Sequence, residues 1–293
     1  ARALIDVLLE QGVDTVFGYP GSAVLDIYDE LYKCDKIRHI LTCHEQAAAH
    51  AADGYARATG RTGVVIATSG PGATNLVTGI AAAYMDSSPV VAITGNVKTS
   101  LLGSDSFQEV DIAGVTMPVT KYSFIASGER GVAQDVREAF SIAQSGRKGP
   151  VLVDIPADIA AQSEEYERAP KSEPAPAKEP EKAELERAAQ MIEKAKRPLI
   201  YVGGGAISSG ASDALKTFAQ KLHIPVACSM MGLGAYPCSA ELFLGLVGMH
   251  GNPAANMEAL NCDLLIAAGA RFSNRVAASK ESFAPKAKII HID

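Results

Sequence analysis

The sequence predicts an α/β protein of two doubly wound parallel-sheet domains, and three observations lead there. Short runs that are apolar on both faces alternate with segments of helical periodicity along the 293 residues. Most of these runs end in glycine-rich turns that open onto the next helix. Between residues 161 and 182 the composition turns abruptly to Glu, Lys, Pro, Ala and Ser, without apolar periodicity. That break sets a first domain over 1–160, an extended, solvated linker over 161–182, and a second domain over 183–293.

In the first domain, Leu4, Ile5, Val7, Leu8 and Leu9 form the apolar face of a helix that Gly12 stops. Residues 13–17 make a short strand ending in Gly18-Tyr19-Pro20-Gly21-Ser22, a turn that permits close backbone approach. A helix through Leu25, Ile27, Tyr28 and Leu31 follows, then a strand over 37–41. The segment 44–60 is rich in Ala47, Ala48, Ala49, Ala51 and Ala52, strong helix formers small enough to let a neighbour come close. Glu45 stands in its first turn, at the mouth of the sheet where open α/β folds bind ligands. Alone, it reads more simply as a first-turn carboxylate favoured by the helix dipole.

The strand 63–68 runs into Ser69-Gly70-Pro71-Gly72-Ala73-Thr74-Asn75, where two glycines and a fixed-φ proline make a tight turn at a helix N-terminus. A strand over 89–94 repeats the pattern. The loop 96–106 is long enough to be functional and delivers Phe107-Gln108-Glu109, ahead of segments 110–115 and 118–122. A helix over 133–143 and a strand over 150–156 close the domain.

The second domain restarts with a helix over 183–195 and a strand over 198–202 that ends in Gly203-Gly204-Gly205. A helix over 211–222, a strand over 224–228 and an irregular stretch over 229–234 come next. Gly248-Met249-His250-Gly251 precedes another helix, and strands over 263–268 and 289–293 follow. Glycines at three strand ends form one crest able to hold a dinucleotide, with backbone amides on phosphates and Arg271 as a bidentate donor. Asp293, at a strand end, reads either as an acceptor from a ribose hydroxyl or as the start of a turn. No G-x-G-x-x-G fingerprint is present, so glycine turns without a ligand remain the alternative.

Composition narrows the class. With 33 acidic against 27 basic residues the net charge is -6, which argues against a nucleic-acid footprint. No apolar run approaches the roughly 20 residues that span a bilayer, and the start does not resemble a signal peptide, so the expected compartment is the cytoplasm, with no membrane partner. Five cysteines without a CxxC pair indicate neither a disulfide framework nor a zinc site, and no metal ligands are assigned. The chain starts without Met inside a helical pattern and stops after an apolar strand, as a piece of something longer would.

Tyr19-Pro20-Gly21, His44-Glu45-Gln46, Gly54-Tyr55-Ala56-Arg57, residues 68–75 and Phe107-Gln108-Glu109 together resemble the pyrimidine-binding domain of thiamine-diphosphate enzymes. With Met231-Gly232-Leu233-Gly234, Tyr236-Pro237, residues 248–251 and Gly269-Ala270-Arg271-Phe272 added, the whole chain is similar to catalytic subunits of the acetolactate (acetohydroxyacid) synthase family. The resemblance implies that Glu45 bonds N1′ of the aminopyrimidine and favours the imino tautomer, whose N4′ takes the thiazolium C2 proton. Two 2-keto acids, pyruvate with pyruvate or 2-ketobutyrate, then condense with loss of carbon dioxide.

By the same resemblance Tyr19, Pro20, Gly21, Pro71, Gly72 and Asn75 line the pyrimidine pocket, and Gln108 approaches the substrate with Phe107 packed beside it. The second domain is implied to hold a structural FAD through Gly204, Gly205, Ser229, Met230, Gly248, Met249, His250, Gly269, Arg271 and Asp293. A homodimer or homotetramer through the first domain is implied too, and a small regulatory subunit is compatible. Four positions depart from the family pattern: Gln134 stands for a flavin-contacting arginine, Ala157 for a lysine, and Ser273-Asn274 for two acidic residues. The Gly-Asp-Gly motif that binds Mg²⁺ and the diphosphate is absent, so the expectation is a catalytically silent two-domain part. A different carboligase such as glyoxylate carboligase, or a non-catalytic flavin-binding or regulatory protein, are the alternatives.

Overall fold

Leu4, Ile5, Val7 and Leu8 recur on one face of α1 (Arg2–Glu10), and burial of that face holds the helix on the sheet. The computed structural model describes residues 1–172, 179–277 and 283–293. The chain divides into two units, Ala1–Ala177 and Lys178–Asp293.

In the first unit α1 is followed by β1 (Thr15–Tyr19), α2 (Leu25–Tyr32), β2 (Arg38–Leu41), α3 (Glu45–Thr59), β3 (Gly63–Ala67), α4 (Pro71–Asn75) and α5 (Val77–Met85). Then come β4 (Val90–Asn96), α6 (Ile112–Thr116), β5 (Tyr122–Ile125), α7 (Val132–Gln144), β6 (Val151–Pro156) and α8 (Ala157–Ala161). Among the described residues the sheet order is β2-β1-β3-β4-β6-β5, all parallel, with helices on both faces. β3, β4 and β6 are buried along their whole length, which is why they read as mostly apolar runs, interrupted by Thr94 and Asn96 in β4 and Asp154 in β6. β1 lies between β2 and β3, so the chain changes direction of build there and leaves a crevice at the C-terminal strand ends.

The alanine-rich helix behaves as its composition predicts. Ala48, Ala49, Ala52 and Ala56 are buried, the His44 ring accepts from the Gln46 backbone N–H at 3.1 Å, and Gly60 ends the helix in the left-handed region.

The second unit contains α9 (Lys182–Lys194), β7 (Pro198–Val202), α10 (Gly204–Ser208), α11 (Ser212–Leu222), β8 (Val226–Cys228), β9 (Phe243–Leu246), α12 (Pro253–Asn261), β10 (Leu264–Ala268) and β11 (Lys288–Ile292). Its described sheet is parallel in the order β11-β10-β7-β8-β9, with the direction change between β7 and β10.

Several local expectations change. The segment 110–115 is the short helix α6, capped by Asp111, whose Oδ1 accepts from Gly114 N at 2.9 Å. Residues 122–125 and 243–246 are strands that the sequence reading did not name. The stretch after Gly203 is already helical as α10.

The linker's described first half is not solvated throughout. Glu164 accepts from the Val132 and Ala133 N–H groups at 2.7 and 3.2 Å, capping α7, and Tyr166 donates to the Glu10 carboxylate. Linker residues 173–178 lie outside the described residues.

Candidate active site

The crevice beside β1 gathers short turns from three strand ends. Gly21 follows β1, and Ala23 N donates to Thr68 Oγ1 at 3.2 Å, tying the turn after β1 to the one after β3. Gly70 has φ +57, a conformation that a side chain would strain, and an added Cβ would lie 2.6 Å from the Gln108 carbonyl oxygen. That turn hands the chain to Pro71, the first residue of α4.

Glu45 opens α3 at the same end of the sheet. Its Oε2 accepts from Asn75 Nδ2 at 3.0 Å, the one hydrogen bond to this carboxylate among the described residues. A Cβ on Gly72 would sit 2.7 Å from Thr68 Cγ2 and 3.3 Å from Glu45 Oε1, so a side chain here would clash with Thr68 and crowd this carboxylate oxygen. Tyr19 and Pro20 lie at the exposed end of β1, with Tyr19 43% exposed.

Gln108 reaches the group through its backbone against Gly70, and its own φ of +58 is unusual for a non-glycine residue. Phe107, in contrast, is 84% exposed. Rather than packing beside Gln108, its ring stands in solvent.

Beneath the crevice are groups that sequence reasoning missed. The Tyr28 hydroxyl lies 3.3 Å from His39 Nε2 and 3.4 Å from the Ile66 carbonyl oxygen. Burial raises the tyrosine's pKa well above its ordinary value, and the nearby Glu45 charge adds to that. Burial also lowers the His39 pKa, against a bond to the Gly18 backbone. Farther along the sheet Asp154 is 0% exposed and takes hydrogen bonds from Thr94 Oγ1 at 2.6 Å and Asn96 Nδ2 at 2.5 Å. Burial pushes its pKa up to about 6 despite those two bonds, with the Asp111 charge contributing to the rise. A carboxylate inside the otherwise apolar run 150–156 was the available signal.

In the second unit the glycine turns meet at the C-terminal ends of β7 and β10. Gly205 N donates to the Gly269 carbonyl at 2.9 Å, and Gly203 N to the Ala268 carbonyl at 3.0 Å. Ser229 Oγ accepts from Gly232 N at 3.2 Å, and Met230, Met249, His250 and Arg271 are exposed. Asn256 clasps Gly248, its Oδ1 accepting from Gly248 N at 2.8 Å and its Nδ2 donating to Gly248 O at 3.1 Å.

Asp293 Oδ2 lies 3.5 Å from His291 Nε2, which in turn is 2.9 Å from the Ala270 carbonyl. Tyr201, 1% exposed, has a hydroxyl with no hydrogen-bond partner among the described residues. Burial drives its pKa up to about 12, against the pull of nearby Ser229 and Arg271. Neither Tyr201 nor Asn256 carried a motif, so neither was assigned from sequence. Among the described residues no cluster of three or more His, Cys, Asp or Glu side chains suits a metal ion, and no helix is long and apolar enough to cross a membrane.

Residues 1–115 match the family described as thiamine pyrophosphate enzyme, N-terminal TPP binding domain, and residues 185–293 match that family's central domain. The chain is 50% identical over 299 residues to a probable acetolactate synthase large subunit of Methanocaldococcus jannaschii, covering all of this chain and 50% of that protein. It is 51% identical over 296 residues to the acetolactate synthase large subunit of Corynebacterium glutamicum, covering 47% of it. Against the acetolactate synthase isozyme 3 large subunit of Escherichia coli the identity is 47% over 298 residues, covering 52%. The chain thus spans about half the length of these relatives. By both matched regions and these full-chain similarities, it belongs to the thiamine pyrophosphate enzymes, as their N-terminal TPP binding and central domains.

Proposed function

We propose that this chain forms the pyrimidine-binding and central domains of an acetolactate synthase-type carboligase, which joins two 2-keto acids with loss of carbon dioxide. The observation that carries the reading is the Glu45 carboxylate, fixed by Asn75 through one oxygen while Gly72 leaves the other room. Bound thiamine diphosphate supplies a carbon nucleophile that also accepts the electrons released by decarboxylation. Glu45 then holds a proton against the pyrimidine N1′, and Asn75 keeps its carboxyl from turning away. Tyr19, Pro20, Gly21, Pro71 and Gly72 shape the edge of that pocket, and Gln108 presents its amide to the keto acid.

The central domain is assigned a flavin, held along the crest by Gly204, Gly205, Ser229, Met230, Gly248, Met249, His250, Gly269, Arg271 and Asp293. The exposed Met230, Met249, His250 and Arg271 along that crest support a ligand there. None of the gathered residues suits Mg²⁺ and a diphosphate, so that half-site is assigned to the length that the relatives have beyond this chain. The chain alone is then catalytically silent. Exposed Tyr84 and Met85 on α5, which packs on α3, support assembly with a second copy through this domain.

The test uses the protein extended to its relatives' length. Glu45→Gln is expected to lower the rate of acetolactate formation from pyruvate by about 10²–10⁴-fold with folding intact. An unchanged rate would overturn the assignment of Glu45. Flavin absorbance in the purified protein tests the second domain separately.

A further inference from the structure

Gln108 sits at φ +58, and a non-glycine residue stays there only where the surrounding structure holds it. The hold begins on β6. Asp154 Oδ2 accepts from Asn96 Nδ2, and Asn96 Oδ1 in turn accepts from Val97 N at 2.8 Å, fixing the first residue of the segment that carries Gln108. Four residues past Asp154, in the first turn of α8, Asp158 accepts from Thr99 N at 2.9 Å and Thr99 Oγ1 at 2.5 Å. Glu109 Oε1 closes the segment on itself through Gly103 N at 2.8 Å.

Asp154 has no cationic partner among the described residues, and the paired backbones of β4 and β6 already join those strands. A fully buried carboxylate without a counter-charge costs stability. What it does that an apolar side chain there could not is aim Asn96. We propose that Asp154, acting through Asn96 and together with Asp158, is the positioning residue that seats the Gln108 segment against Gly70, in the same turn as the Gly72 that faces Glu45. This rests on the carboligase reading of that site.

Two measurements test it. In this chain, Asp154→Asn should speed hydrogen exchange of residues 97–111 roughly ten- to hundredfold, as expected when a bond to a charged acceptor is lost, and leave β1 and β3 protected. Asp158→Asn, less buried and safer for folding, should loosen the same residues by less. In the protein extended to its relatives' length, both variants should lower kcat for acetolactate formation, with thiamine diphosphate affinity unchanged.

Faster exchange spread evenly over the first domain would mean a purely structural carboxylate and would overturn the proposal. Loosening of 97–111 without loss of kcat would overturn its link to the reaction. Failure of the carboligase reading looks different, since the extended protein would then make no acetolactate before any substitution.

Discussion

Glu10→Gln is the sharpest test of how the first domain holds the segment that leaves it. Glu10 ends α1 with its side chain 1% exposed, and it accepts from Arg137 Nε and Nη2, both at 2.9 Å, from Ala169 N at 2.9 Å and from the Tyr166 hydroxyl. Burial works against its charge, yet these donors hold its pKa at about 2. Glutamine keeps the shape and one acceptor oxygen, but it removes the negative charge and sets an NH2 donor against the N–H groups of Arg137, 18% exposed, one of which loses its carboxylate acceptor.

Breaking one partner of a buried pair costs about 3–5 kcal/mol, and the partial exposure of Arg137 puts this case near about 3. For a domain of this size that lowers the thermal midpoint by about 6–12 °C. Circular dichroism reads the midpoint, and trypsin cleavage after exposed Arg168 reads release of residues 162–172. A folded pKa below the ordinary carboxylate value means stability present in full above about 4.5 and lost as pH falls toward about 2, so the gap between variant and parent should close over that window. A midpoint within a degree of the parent, with cleavage unchanged, would refute the clamp.

Further outcomes follow from other contacts. Gly70→Ala forces a Cβ onto the Gln108 backbone at positive φ, and should cost more than about 1 kcal/mol by urea unfolding. The Asp154 pKa, raised to about 6 in the fold, predicts a penalty that is complete above pH 6 and relieved as pH falls toward 3.8. Relative to Asp154→Asn, the parent's first domain should therefore gain about 1 kcal/mol between pH 7 and pH 5, with His39 cancelling in the comparison. Asn256→Ala opens the clasp on Gly248 and, on the flavin proposal, should weaken flavin binding roughly tenfold in a fluorescence titration, while the midpoint of the second domain moves little.

The architecture was legible where burial is two-sided. β3, β4, β6 and β10 are buried on both faces by helices, and apart from Thr94, Asn96 and Asp154 the sequence shows them as apolar runs. β5 and β9 are edge strands with half-exposed residues, so Tyr122–Ile125 and Phe243–Leu246 carried no such run. The turns after β1 and β3 were legible because their Gly and Pro are fixed by local geometry, whereas a role for Glu45 came only from the resemblance.

What stayed hidden is long-range. Asp154 meets Thr94 and Asn96 only through the pairing of β4 with β6, about 60 residues away in sequence. Glu164 and Tyr166 read as solvated linker, since their partners Val132 and Glu10 are 32 and 156 residues distant.

β6 lies between β4 and β5 although it is the last strand of its sheet to be synthesised. While the ribosome is still making residues 97–150, the nascent chain carries β4 with an open apolar edge that nothing yet occupies. Asp154 and Asp158 arrive later still, so the Gln108 segment emerges some fifty residues ahead of its anchors. Products terminated inside α7 should therefore need holding chaperones and aggregate without them, whereas those reaching Pro156 should not.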